Sequence, residues 1–175
     1  MKKRTTMLAL LLATGAGTCL QAQEKLTRFK VRDAITVRTP IMNDSINPKG
    51  EKHTAKELLK TPVVLDLAGA PFQVLNADTA GILSFPKAEK DNSIYLLETA
   101  LRAERFMTGK LKITSPARWE IFINGESKMS KESAEDSISG ASTREVNLRL
   151  EPEADYEITI KLLSGSEDKA EPTLK

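Results

Sequence analysis

Cysteine is almost absent from this chain, and so is histidine. Among 175 residues, Cys19 is the one thiol and His53 the one imidazole. A disulfide framework is therefore excluded, and the zinc sites that draw several ligands from these two residue types have no donor set. A Ser-His-Asp site would have to use His53, which lies in a polar stretch flanked by lysines. The sequence contains no nucleophile-elbow pattern, and His53 reads as a surface residue. Aromatics are scarce too: Trp119, Tyr95, Tyr156 and five Phe. No apolar run approaches the roughly 20 residues needed to span a bilayer as a helix. No dense basic block offers a footprint for phosphates, which argues against nucleic-acid binding.

The chain opens with a basic Lys2-Lys3-Arg4, then an apolar stretch from Met7 to Ala16, then small residues and Gln21-Ala22-Gln23. This is the layout of a secretory signal, and it predicts cleavage after Ala22 and an exported, periplasmic or extracellular protein. The Gln-Ala-Gln ending resembles that of exported proteins of Bacteroidetes-type bacteria. Cys19 has two readings. It is either discarded with the signal, or acylated as the first residue of a surface lipoprotein. Thr18 and Ala16 depart from the small and aliphatic residues that a lipidation signal places before its cysteine. Removal of residues 1–22 takes Lys2, Lys3 and Arg4 from the 26 basic residues, leaving 23 against 24 acidic ones, about −1. The net positive charge belongs to the leader.

Residues 23–61 are read as a polar N-terminal segment. It includes a short strand over 34–38 (AITVR), a turn-rich loop over 43–52, and one short helix. Thr54 and Glu57 are spaced as a capping box ahead of Leu58 and Leu59, and Pro62 ends the helix. Residues 62–163 read as the main domain. Strands are predicted at 63–67, 72–75 and 81–85, the last two forming a hairpin about the turn at 76–80. Residues 94–107 are ambiguous. Leu96, Leu97, Ala100 and Leu101 fall at helical spacing, whereas Tyr95, Leu97, Thr99 and Leu101 fit one strand face; the strand is preferred because its neighbours look like sheet.

Period-two alternation is clearest in the last third. Leu111 and Ile113 share a face, as do Trp119, Ile121 and Ile123, then Val146, Leu148 and Leu150, then Tyr156, Ile158, Ile160 and Leu162. Each run buries one face and wets the other, which predicts a mainly β protein: an antiparallel β-sandwich, jelly-roll or Ig-like, with at most one or two short helices. Asn124-Gly125 supplies the positive backbone angles of a tight hairpin turn. Lys128 to Ser142 reads as a solvated loop. Residues 164–175 read as a flexible tail or a linker to a further domain, although Pro172 to Lys175 has the look of an opening strand.

The run from Leu150 through Tyr156 to Ile160 resembles the tyrosine corner of immunoglobulin-like and fibronectin-type sandwiches, which implies a structural role for Tyr156. Gly109 to Leu163 also resembles the jelly-roll accessory domains, PA14-like among them, of exported bacterial enzymes. The Asp pair that often binds calcium in PA14 domains has no match here. Asn76-x-Asp78-x-x-Gly81 has spaced oxygen donors, but Lys87 stands where a hand-type calcium loop needs its distal glutamate, so an ordinary turn is expected and no metal or cofactor. Glu132, Glu135 and Asp136 read as part of a solvated loop.

These features point to a non-catalytic extracytoplasmic domain that binds or scaffolds. Its expected place is an N-terminal accessory module beside a catalytic or propeller domain of the same polypeptide. A carbohydrate-binding module is the alternative, with a glycan as partner. That alternative requires an exposed aromatic platform, and Trp119 is the candidate ligand contact, although its phase with Ile121 and Ile123 favours the core.

Overall fold

The structure is a computed structural model and describes residues 26–35, 49–50, 55–60, 72–87 and 92–175. Among the described residues the elements are, in chain order, β1 (Arg28–Ile35), α1 (Ala55–Lys60), β2 (Phe72–Asn76), β3 (Leu83–Ser84), β4 (Ser93–Arg102), β5 (Met107–Thr114), β6 (Arg118–Ile123), β7 (Glu126–Lys131), β8 (Thr143–Leu150), β9 (Asp155–Ser164) and β10 (Thr173–Leu174). The larger sheet has the order β2-β1-β4-β9-β6-β7, with antiparallel neighbours throughout.

The smaller layer is built from two antiparallel ribbons, β10-β3 and β5-β8. The last residue joins them. Lys175 N–H donates to Thr114 O at 2.9 Å, and Thr114 N–H donates back to Lys175 O at 2.8 Å. This reciprocal pair is one rung of an antiparallel ladder, so the layer reads β3-β10-β5-β8. The chain crosses between layers at most of its connections, the to-and-fro winding of a jelly roll.

The alternating runs meet in the interior. Phe29, Val31, Leu97, Trp119, Ile121, Ile160 and Leu162 from the larger sheet pack against Leu83, Ile113, Val146 and Leu174 from the smaller layer. A period of two sends every second side chain to one face, and here both inner faces are apolar. The outer face of the larger sheet also buries apolar groups, namely Ile94, Leu96 and Leu163, together with Leu59 of α1. Lys161, on that face, donates from Nζ to Leu59 O. Burial pushes the Lys161 ammonium pKa below its usual value, against a pull upward from Glu120.

The strand preferred over the helix for 94–107 is present as β4, the ten-residue partner of β9, because Tyr95, Leu97 and Leu101 line the core face. Several other expectations change. The N-terminal segment is not separate from the sandwich, since β1 lies between β2 and β4. Its strand is described over Arg28–Ile35, and residues 36–38 of the strand expected over 34–38 lie outside the described residues. The stretches 72–75 and 81–85 do not pair as a hairpin: β2 joins β1 and β3 joins β10. Residues 164–175 are no loose tail, because Pro172, Thr173 and Leu174 are buried. The loop expected from Lys128 starts later, as β7 runs to Lys131. The expected leader and its Cys19, His53, Thr54 and the 63–67 strand lie outside the described residues.

Candidate functional site

One end of the sandwich is braced by short-range chemistry. β4 ends at Arg102, and the chain passes through Ala103 to Phe106 before β5 begins. Beside it, β8 ends at Leu150, and 151–154 leads into β9. Ala103 and Pro152 form an isolated bridge, and Glu153 N–H donates to Ala103 O at 2.9 Å. Tyr156 enters β9 with its hydroxyl accepting from Glu151 N–H at 2.8 Å, the local geometry of a tyrosine corner. Glu153 has φ of 58°, a left-handed backbone that non-glycine residues rarely adopt. Such strain persists only where surrounding contacts over-determine it, and it concentrates at binding surfaces.

The turn next door is equally fixed. Asn124 (φ 50°) and Gly125 (φ 76°) make the β6–β7 turn that positive angles permit. Asn124 also ties the turn to β9: its Oδ1 accepts from Glu157 N–H, and its N–H donates to Glu157 O, both at 2.8 Å.

On this braced end stands Phe106, 48% exposed. The Arg149 guanidinium lies 5.2 Å from its ring centroid, covering one face. Arg149 Nε in turn donates to Glu151 Oε1 at 3.2 Å. Arg102 bridges Glu153 at 2.6 Å and lies 3.7 Å from Asp155. These exposed ion pairs add little stability. The Arg149–Glu151 pair places a donor and an acceptor beside the ring. Met107, beside Phe106, is 47% exposed as well.

Trp119 is not part of any surface. It is 0% exposed, in the centre of the core, and its Nε1 has no hydrogen-bond partner. It therefore cannot be a stacking platform. Phe122, one residue out of phase, points to the opposite face and is half-buried. The acidic residues of the 132–142 loop also have an architectural use. Lys131, 1% exposed, donates from Nζ to Ser115 O at 2.6 Å, Ala117 O at 3.3 Å and Glu135 Oε2 at 2.5 Å. Glu135 Oε1 accepts from Ser142 N–H and Oγ. Partial desolvation pulls the Glu135 pKa up, but the hydrogen bonds from Lys131 and Ser142 outweigh it and hold the carboxyl below its ordinary range.

Asp78 is a turn residue. Its Oδ1 accepts from Ala80 N–H and Ile82 N–H, both at 2.8 Å. Among the described residues, no three His, Cys, Asp or Glu side chains come together as a metal site. A cavity beside Leu59, Lys60, Glu120, Ser130 and Glu132 has about 10 Å³, room for one water at most.

Sequence reasoning passed over Phe106, yet a signal was present. Leu111 and Ile113 set the inward phase of β5 at odd positions, so Phe106 falls on the outward phase.

No family model matches the chain, and no curated protein matches it. Parts of it are similar to several solved structures. A β-glucosidase from Kluyveromyces marxianus in complex with glucose is 14% identical, with a TM-score of 0.45 over 61% of this chain and 13% of that one. A PA14 sugar-binding domain from an RTX adhesin is 17% identical, with a TM-score of 0.35 over 48% of this chain and 46% of that one. A family 35 carbohydrate-binding module from an environmental isolate is 12% identical, with a TM-score of 0.34 over 57% of this chain and 74% of that one. The chain thus spans a small part of the β-glucosidase and under half of the PA14 domain.

Proposed function

We propose that this chain is a non-catalytic carbohydrate-binding domain that holds a sugar against the open face of Phe106. The observation behind this is Phe106 itself: an aromatic ring half in solvent, with the Arg149 guanidinium over one face, on a braced end of the sandwich. A pyranose ring presents a patch of C–H groups that packs on an aromatic face, and its hydroxyls need donors and acceptors at the rim. Arg149 supplies a donor there, and Glu151, bonded to it, an acceptor. Because the loops are cross-linked by Tyr156 and by the Ala103–Pro152 bridge, little ordering entropy is lost on binding. Glycoside hydrolysis needs two carboxylates flanking the scissile bond. Here the carboxylates are more than half exposed, on an open surface that already pairs them with arginines. This favours holding a glycan over cleaving one.

The proposal extends to location and context. The basic–apolar–small opening of the sequence supports export with loss of residues 1–22, and an accessory role beside a catalytic or propeller domain fits a small binding sandwich. Lipid anchorage through Cys19 is the alternative placement, and metabolic palmitate labelling distinguishes the two.

The decisive experiment is affinity electrophoresis of the full chain against a panel of soluble polysaccharides, followed by a glycan array. Phe106→Ala is expected to weaken retention by about tenfold, the loss of roughly 1.4 kcal/mol. Retention by no glycan, or retention unchanged in Phe106→Ala, overturns the proposal.

A further inference from the structure

We infer that the outer face of the β5–β8 ribbon continues the Phe106 site into a track for a linear acidic polysaccharide; the inference rests on the sugar reading of Phe106 and names its ligand class. The two layers differ on their outer sides. The larger sheet buries Ile94, Leu96, Lys161 and Leu163 there, and Leu59 of α1 is buried with them. The ribbon's outer side is open. β5 and β8 pair in unbroken register from Met107 opposite Leu150 to Thr114 opposite Thr143. Leu111, Ile113 and Val146 turn towards the core, so the alternate set turns out. That set is Thr108 opposite Arg149, Lys110 opposite Asn147, and Lys112 opposite Glu145, all six exposed. The Lys110 and Lys112 side chains are each 57% exposed, and that of Arg149 is 75%.

These residues form a row. Arg149, Lys110 and Lys112 stand at successive levels two residues apart, so their charges repeat about every 7 Å along the strands. Phe106 lies at the end of the row, its ring under Arg149. Arg149 is matched by Glu151, but Glu145 serves two ammoniums, Lys110 at 2.7 Å and Lys112 at 3.4 Å. One carboxylate between two lysines leaves surplus positive charge on the track, and Arg144, exposed next to Glu145 in sequence, adds to it. A protein partner would want apolar contacts at the centre of its footprint, and between Thr108 and Lys112 the row has none. Each strand of a nucleic acid duplex carries a charge about every 3.4 Å, twice the density of this row. A polysaccharide with spaced carboxylates fits better. One sugar packs on Phe106, carboxylates of later units meet Lys110 and Lys112, and hydroxyls reach Thr108 and Asn147.

The probes are polygalacturonate, alginate and hyaluronate, each beside its carboxyl-reduced form, in affinity electrophoresis of the full chain at about 0.15 M salt. At least one acidic polymer is expected to be retained about tenfold more tightly than its reduced form. Lys110→Gln combined with Lys112→Gln should erase that preference; both side chains are exposed, so the variant keeps its fold. Lys60→Gln, which removes an exposed charge from α1 on the other layer, should leave retention unchanged. Equal retention of acidic and reduced forms, lost in Phe106→Ala, overturns this inference and leaves the sugar reading standing. Retention of neither form overturns both. A preference for acidic polymers that survives in the double lysine variant, or tighter binding of a single-stranded oligonucleotide, also overturns the inference.

Discussion

The Tyr156 hydroxyl accepts the Glu151 amide proton at 2.8 Å, and this bond ties the turn that follows β8 to the start of β9. Between them lies the strained Glu153, and the Phe106 loop is pinned to the same turn. Tyr156→Phe deletes the acceptor and leaves the ring. The expected cost is about 1 kcal/mol in chemical denaturation, the usual net value of one hydrogen bond. Faster amide exchange at 151–154 and weaker glycan retention should accompany it. Unchanged exchange there would show that the bridge alone holds the turn.

Trp119 separates packing from recognition. Its complete burial predicts a loss of about 3–5 kcal/mol for Trp119→Ala. Trp119→Phe should cost less, because it removes an indole N–H that has no partner. In thermal melts both variants should be destabilised in that order. Glycan affinity of the folded Trp119→Phe protein should equal that of the parent.

The Lys131–Glu135 pair gives an acid-side dependence. Glu135 is held below its ordinary value of 4.5, so it favours the folded state when ionised. That contribution is complete above about pH 4.5 and is lost as pH falls through the lower folded value. Glu135→Gln leaves Lys131 buried without its counter-charge, and about 3–5 kcal/mol of stability should go at neutral pH. Urea titrations between pH 7 and pH 3 should show the difference between parent and variant shrinking as the pH drops. A constant difference would assign the loss to packing.

β10 is tested through Leu174. The side chain is 4% exposed and packs in the central core. Leu174→Ala should cost about 2–5 kcal/mol, the range for a buried leucine. Lys175→Ala, which keeps the backbone rung with Thr114, should cost almost nothing. If Leu174→Ala melts like the parent, the four-strand reading of the smaller layer fails.

How much of this could be read from the residues varies by element. The Asn124-Gly125 turn was legible, because its φ values are a local demand that those two residues meet. The inward face of Trp119, Ile121 and Ile123 was legible from phase alone. The separation of 72–75 from 81–85 was not. Both stretches have a strand's alternation, and the Asp78 turn between them suits a hairpin; only their partners, β1 and β10, send them to different layers. The candidate site was half legible: Tyr156 by its motif, Phe106 by a phase that went unused.

Alternation along the chain settled that this is a sandwich, and which side of each strand is greasy, because those are properties of neighbours in sequence. Which strand became an edge, which aromatic stayed in water, and that Leu174 was drawn into the core were decided by the assembled sheets. Strand pairing joins residues far apart in the chain, as Leu83 with Leu174, and a local pattern has no means of naming a distant partner.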